Sequence, residues 1–292
     1  MLNAWGVSME QEQITIYRPN QRAASGWIEN WRAMFANIHR SRELIWQLFK
    51  RDFTAGYKKS YIGLAWLFVA PVMGIFSWVF LQRTGVLQPG DPGVPYPVYV
   101  LIGTSVWGFF MGSFGSASQT LSSGSSLIMQ VRYPHEALLF KEIAQYMATF
   151  MVTFVVNLVL LAVFRVMPKW TIVFFPFSLL PLLFLGAALG LIMSLVSVVA
   201  YDVSRIVQLF FGFIMYLTPV IYMPNQVGGL LGHAIALNPL TYLVCAPRDL
   251  ILYGRLEHPV VYTLSVLGAA GIFLVSWRFF YLSEDKIVER MV

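Results

Sequence analysis

Apolar residues come along this chain in runs of about 20, the length an α-helix needs to cross a bilayer, separated by short polar breaks. Six such runs predict spans over residues 61–81, 99–119, 137–164 and 173–201, a fifth that follows Asp202 and Arg205 and ends near Tyr222, and a sixth over 260–281. Ahead of them the period changes. Trp27, Ile28, Trp31, Met34, Phe35 and Ile38 recur at helical spacing, with Glu29, Arg32, Asn37 and Arg40 elsewhere on the wheel. A second amphipathic pattern follows, with Leu44, Ile45, Leu48, Phe49 and Phe53 opposite Glu43, Gln47, Lys50 and Arg51. Such helices suit the lipid headgroup boundary or a neighbouring protein. Residues 1–25 are mostly polar and hold no early apolar run, so no cleavable signal peptide is expected.

Two of the polar breaks carry a pattern of their own. Residues 122–142 enclose Leu127, Ile128, Met129 and Val131, followed by Arg132 and Pro134. The apolar four can form one or two helical turns with a sticky face. Pro134 closes that helix and opens the next, because proline lacks the N–H of an interior position yet suits a first turn. The stretch reads as a docking loop, with a plain solvated loop as the alternative. Residues 223–257 are too long for a turn and too broken for a span, punctuated by Pro224, Gly228, Gly229, Gly232, Pro239 and Pro247. Two short helices are expected there, one around Leu230, Leu231, Ala234, Ile235 and Leu237, the other around Tyr242, Leu243, Val244, Leu250 and Ile251. Irregular backbone at membrane depth needs protein or an aqueous cavity to cover it, so the pair is expected to dip back into the membrane as a re-entrant hairpin on the outer face.

Composition fixes the class. Hydrophobic residues make up 58% and charged residues 12% of the 292, against about a quarter charged in soluble domains; mean hydropathy is +0.66. The fold class expected is an all-α membrane protein with six transmembrane helices, N-terminal interface helices and re-entrant outer helices. The domains expected are a cytoplasmic segment 1–60, a membrane domain 61–281 and a short tail 282–292. Six spans put both termini on one side. Placing them in the cytoplasm gives inner segments fifteen Lys and Arg and outer segments five, the bias that orients such proteins.

Candidate chemistry is sparse. The single cysteine, Cys245, excludes an intrachain disulfide, and His39, His135, His233 and His258 lack metal-ligand spacing, so no metal site is expected. Gly56-Tyr57-Lys58-Lys59-Ser60 resembles the end of a phosphate-binding loop but lacks the second glycine, so it cannot supply a phosphate-cradling loop. Acids within spans are nearly absent, which disfavours proton coupling. Paired loop acids or a His–Asp pair, as a membrane-embedded glycosyltransferase or acyltransferase would use, are not found. Gly108 and Gly112 in the second span, and Gly186, Gly190 and Ser194 in the fourth, form small-residue ridges for close helix packing, within the chain or at a dimer seam.

Several pieces occur in order: Lys50-Arg51-Asp52, Tyr57-Lys58, Gly63-Leu64-Ala65-Trp66 with Pro71, Leu127-Ile128 through Pro134, Thr218-Pro219-Val220-Ile221-Tyr222, and Asn238-Pro239-Leu240 followed by Arg248-Asp249. Over roughly residues 43–281 the chain thereby resembles the membrane subunit of ABC-2 type polysaccharide exporters, which carry O-antigen, capsule or teichoic acid chains; the stretch up to about Ile38 departs from that pattern. The resemblance implies a homodimer in the bacterial inner (cytoplasmic) membrane and two copies of a cytoplasmic ATPase subunit, which bind the ATP and Mg. The ATPase docks on Leu127, Ile128, Met129, Val131, Arg132 and Pro134. A lipid-linked polysaccharide and membrane lipids are the other partners implied, and no nucleic acid. It further implies an outer gate at Pro224, Gly228, Gly229, Leu230, Pro239 and Leu243. For the glycan path, Trp107, Phe110 and Phe114 form one stripe at i, i+3 and i+7, which Trp66, Trp78 and Phe80 of the first span and Tyr216 and Tyr222 of the fifth can face. The other reading of that stripe is contact with lipid or neighbouring helices. An ABC-2 exporter of small lipids or drugs is the rival function.

Overall fold

The computed structural model describes residues 26–58, 65–123, 136–224 and 227–291, and every regular element among them is helical. Two helices precede the membrane domain. In α1 (Trp27–Arg40) the Gly26 N–H donates to Glu29 Oε2 at 3.2 Å, with Glu29 in the first turn and His39 and Arg40 in the last, each on the side the helix dipole favours. Its Met34 is fully buried, and Trp31 and Phe35 meet the edge of Trp277 at 5.4 and 5.5 Å. α2 (Arg42–Lys58) lies along the start of α5.

The centre of the molecule is α4 (Tyr96–Ser118), which opens on Pro97 in its first turn and buries most of its length among α3 (Trp66–Arg83), α5 (Glu136–Val163), α6 (Phe175–Val199) and the later helix α9 (Pro239–Leu252). Its closest partner is α6. A Cβ at Gly186 would stand 2.9 Å from the Phe110 carbonyl oxygen, and one at Gly190 would stand 2.5 Å from that of Phe114, so these glycines bring two backbones together. Gly112 gives way instead to the Tyr146 ring of α5, whose hydroxyl donates to the Gly108 carbonyl at 2.9 Å. Gly112, Gly186 and Gly190 therefore pack within the chain, whereas Gly108 is exposed with open space beside it.

Four helical stretches are long and apolar enough to cross a membrane: Tyr96–Ser118, Glu136–Val163, Trp170–Val199 (a 3-10 turn, Trp170–Phe174, running into α6) and Pro259–Ser283 of α10 (Pro259–Met291). They match the second, third, fourth and sixth expected spans to within a few residues, although α10 runs on past Tyr281. A fifth is added if α8 (Gly229–Leu237) and α9 (Pro239–Leu252), bent by 77° at Asn238, count as one. The six long spans expected are thus not all found among the described residues. Of the first, α3 supplies 18 described residues with Pro71 inside. The fifth is interrupted. α7 (Tyr201–Ile214) has 14 residues, about 21 Å at 1.5 Å each, and a 3-10 turn (Met215–Leu217) then gives way to extended backbone at Thr218, φ −121° and ψ 128°. Pro219 explains the break, since it disfavours helical geometry in the residue before it. The expected pair of short helices is present as α8 and α9. Asn238 caps α9 by accepting from the Leu240 N–H at 3.0 Å, and Pro239 starts it.

Candidate functional site

The docking residues Leu127, Ile128, Met129, Val131, Arg132 and Pro134 lie outside the described residues, but both their flanks are described. Helical backbone reaches Ser123 on one side and begins again at Glu136 on the other. The flanks are joined: Ser123 Oγ donates to Glu142 Oε1 at 2.5 Å, and Lys141 Nζ donates to the same oxygen at 2.6 Å and to Asp52 Oδ2 of α2 at 3.0 Å. Arg51 Nε completes the set on Asp52 Oδ1 at 2.8 Å. Lys141 is almost wholly enclosed, and its charge stands against two carboxylates, which offsets its loss of water. Burial pushes the Asp52 carboxyl upward, but the hydrogen bonds from Arg51 and Lys141 outweigh it, and the group ends below its ordinary value. The sequence showed Lys50-Arg51-Asp52 only as a motif fragment. Its partner Lys141 lies 89 residues away, beyond any local periodicity.

The aromatic stripe of α4 sits inside the chain. Phe110 and Phe114 are fully buried against Phe211 of α7, at 5.3 and 5.0 Å between ring centres, and Trp107 lies 5.4 Å from Phe110. Within one chain these three rings face no open path. The other aromatics are more accessible: Trp66, Phe80 and Tyr216 are exposed, and Trp78 and Tyr222 are half-buried. Trp66 and Trp78 both line a 360 Å³ cleft between α3, α4 and α5, along with Thr104, Ser105, Thr149 and Thr153. Tyr222 donates its hydroxyl to the Tyr216 carbonyl at 2.7 Å. Flat rings beside hydroxyls can hold an apolar ring face and a polar rim together.

On the outer hairpin, α8 is entered through Gly229 at φ +66°, in the left-handed region that favours glycine. Leu230 is 88% exposed, whereas Leu243 on α9 is 0% exposed. Pro224, Gly228 and Gly229 border a cleft of 420 Å³ enclosed by α8, α9 and the start of α10. Pro239 occupies the bend.

Beneath the hairpin lies a cluster whose charge pattern sequence reasoning passed over. Arg248 is 2% exposed. Its Nη1 donates to the Pro219 carbonyl at 2.7 Å, its Nε to Asp249 Oδ1 at 3.2 Å, and its guanidinium lies 4.3 Å over the Tyr99 ring. The irregular backbone after α7 is satisfied from all sides. Tyr96 and Tyr99 donate their hydroxyls to the carbonyls of Ile221 and Tyr222, both at 2.9 Å. Asn238 Nδ2 donates to the Leu217 carbonyl at 3.1 Å, and the Met223 N–H to that of Pro89 at 2.9 Å. Gly103 of α4 touches the Val220 carbonyl so closely that a Cβ would not fit. Non-helical backbone in a membrane domain demands such partners. The available signal was Arg248-Asp249 inside an otherwise apolar helical run, a placement that calls for buried partners.

Comparison with known proteins bears on the whole arrangement. The chain is similar to the O-antigen export system permease protein RfbA of Myxococcus xanthus, at 26% identity over 251 residues, which is 85% of this chain and 94% of that protein. The family described as ABC-2 type transporter matches residues 43–252, from the start of α2 through the end of α9. That span includes the Asp52–Lys141 bridge, the central helices and the outer hairpin, and with well over half of its length matched the chain belongs to the ABC-2 type transporter family of membrane proteins.

Proposed function

We propose that this chain is the transmembrane subunit of an ATP-driven exporter that moves a lipid-linked polysaccharide across the cytoplasmic membrane. Two copies of the chain form the channel, and two copies of a separate cytoplasmic ATPase, carrying the ATP and Mg, dock on residues 127–134. In this reading the chain crosses the membrane six times, with α3, and α7 plus its extended continuation, as the two spans beyond the four long ones, and both termini are cytoplasmic. The observation that carries the reading is the similarity to an O-antigen export permease over 85% of the chain. The cleft between α3, α4 and α5 supports it, because Trp66 and Trp78 beside four hydroxyl side chains suit the C–H faces and hydroxyl edges of sugars. The buried stripe Trp107, Phe110 and Phe114 serves packing in each chain, and the accessible aromatics Trp66, Trp78, Phe80, Tyr216 and Tyr222 are the candidates for the path. The outer hairpin then forms the exit.

The test co-expresses the chain with its ATPase and measures both co-purification and the appearance of lipid-linked glycan on the outer leaflet. Export that depends on ATP hydrolysis and on this chain, and that falls when Trp66 or Trp78 is replaced by Leu at unchanged complex yield, supports the proposal. Failure of any ATPase to co-purify, or glycan appearing equally well without the chain, overturns it.

A further inference from the structure

The 420 Å³ cleft at the outer hairpin has a hydrogen-bonding character that follows from its lining. Three hydroxyl groups border it, and each already donates its hydrogen to a backbone carbonyl: Thr241 to Ile235 at 2.8 Å, Tyr242 to Ala236 at 2.8 Å and Tyr262 to Ser178 at 3.5 Å. They have only lone pairs left to offer. His233 Nδ1 lies 2.9 Å from the Gly229 carbonyl oxygen. A carbonyl can only accept, so Nδ1 donates to it, and in the neutral form of the ring Nε2 is an acceptor. The floor is the Asp249 carboxylate, whose Oδ1 takes the Arg248 Nε–H from behind, and the rim carries the exposed Glu257 carboxylate. Tyr242 and His258 stand edge to face at 5.7 Å, a rigid aromatic corner at the mouth. Arg248 is enclosed and does not line the cleft.

We propose that this cleft is a binding subsite for neutral or amino-bearing sugar units of the exported glycan, and that it discriminates against acidic ones. The His258 ring and the Cys245 thiol can donate as well, but most of the polar lining accepts, so a ligand that supplies hydrogen-bond donors and an apolar ring face fits it best. Sugar hydroxyls and ammonium groups donate, whereas the carboxylate of a uronate unit or a phosphate group only accepts and would meet two carboxylates of its own sign. The cleft thereby narrows the substrate class of the exporter proposed above, and the inference rests on that reading.

The experiment uses the full chain in phosphatidylcholine nanodiscs and measures saturation-transfer NMR with two probes of equal length, a neutral glucose hexamer and an oligogalacturonate. The neutral probe is expected to bind the parent chain, and Glu257→Ala is expected to weaken it about fivefold, the worth of one hydrogen bond to the rim. Glu257→Lys is expected to let the acidic probe bind. Glu257 is exposed, so neither substitution disturbs the fold. The proposal is overturned if the neutral probe does not bind, if the acidic probe binds the parent chain as well as the neutral one, or if both variants behave as the parent. Export of glycan by the parent complex is measured alongside: normal export with no sugar in the cleft removes this subsite alone, whereas loss of all export removes the reading it rests on.

Discussion

Arg248 shows what a single buried charge can hold together. Its guanidinium joins the Pro219 carbonyl, the Asp249 carboxylate and the Tyr99 ring, which belong to three different parts of the chain. Replacing it with Ala leaves Asp249 buried without its cation and a carbonyl without its donor, a loss of roughly 3–5 kcal/mol. Arg248→Ala is therefore expected to lower the melting temperature and the yield in detergent sharply. Arg248→Lys should recover part of the loss, because it keeps the charge but not the planar fork. A parental melting curve for Arg248→Ala would remove the cluster from the fold's supports. Asp52 makes a prediction of the opposite kind, in pH. Its folded-state value is depressed below the ordinary 3.8, so its pairing with Lys141 contributes fully above that value and is lost as pH falls through the lower folded one. Hydrogen exchange in α2 should therefore show no Asp52-dependent change between about pH 5 and 8 and a rise only in acid below about pH 4, with Asp52→Asn lacking that acid rise. At this scale the sequence showed which side chains share a face but not what covers it. The 3.6-residue period put Trp107, Phe110 and Phe114 on one stripe, and Phe211, about a hundred residues further on, closes it.

Among the elements, the long apolar helices were legible because twenty apolar residues leave few alternatives to a span, and the hairpin because glycine and proline punctuate it. The end of α7 was not legible. The residues after it, Val220 and Ile221, are as apolar as a span, and only the donors from Tyr96, Tyr99, Arg248 and Asn238 make extended backbone tolerable there. The hairpin's two halves also differ in a way composition hides. α9 is clamped on several sides, its Leu250 carbonyl accepting from the Thr171 hydroxyl and its Ile251 carbonyl from the Lys169 N–H. α8 buries little beyond Ile235. In the proposed exporter, movement of the hairpin is therefore expected in α8, pivoting between Gly229 and Asn238. With Cys245 replaced by Ser, a cysteine at Leu230 should react with an impermeant reagent and change its rate when ATP drives the complex, while one at Leu243 stays unreactive throughout. Faster labelling at Leu243 with ATP would show that α9 moves as well.

For the whole molecule, the Ser123–Glu142–Lys141–Asp52 chain of contacts ties Ser123 and the start of α5 to α2. Replacing Leu127 and Ile128 by Asp is expected to cost about 2–4 kcal/mol of ATPase binding, because few apolar anchors carry most of such an interface. The complex should fall apart on purification while the chain itself remains in the membrane. An intact, exporting complex would place docking elsewhere. The extended segment after α7 has a consequence of another sort, in the order of synthesis. A ribosome delivers α4 first, so Tyr96 and Tyr99 are waiting when Ile221 and Tyr222 emerge. The carbonyls of Leu217 and Pro219 have to wait for Asn238 and Arg248, some 20 to 30 residues later. Until then the nascent outer half carries bare carbonyls at membrane depth. Insertion of α9 is thus the step that makes the outer half of the chain stable, and a polypeptide stopped before it is the form that membrane quality control would meet and remove.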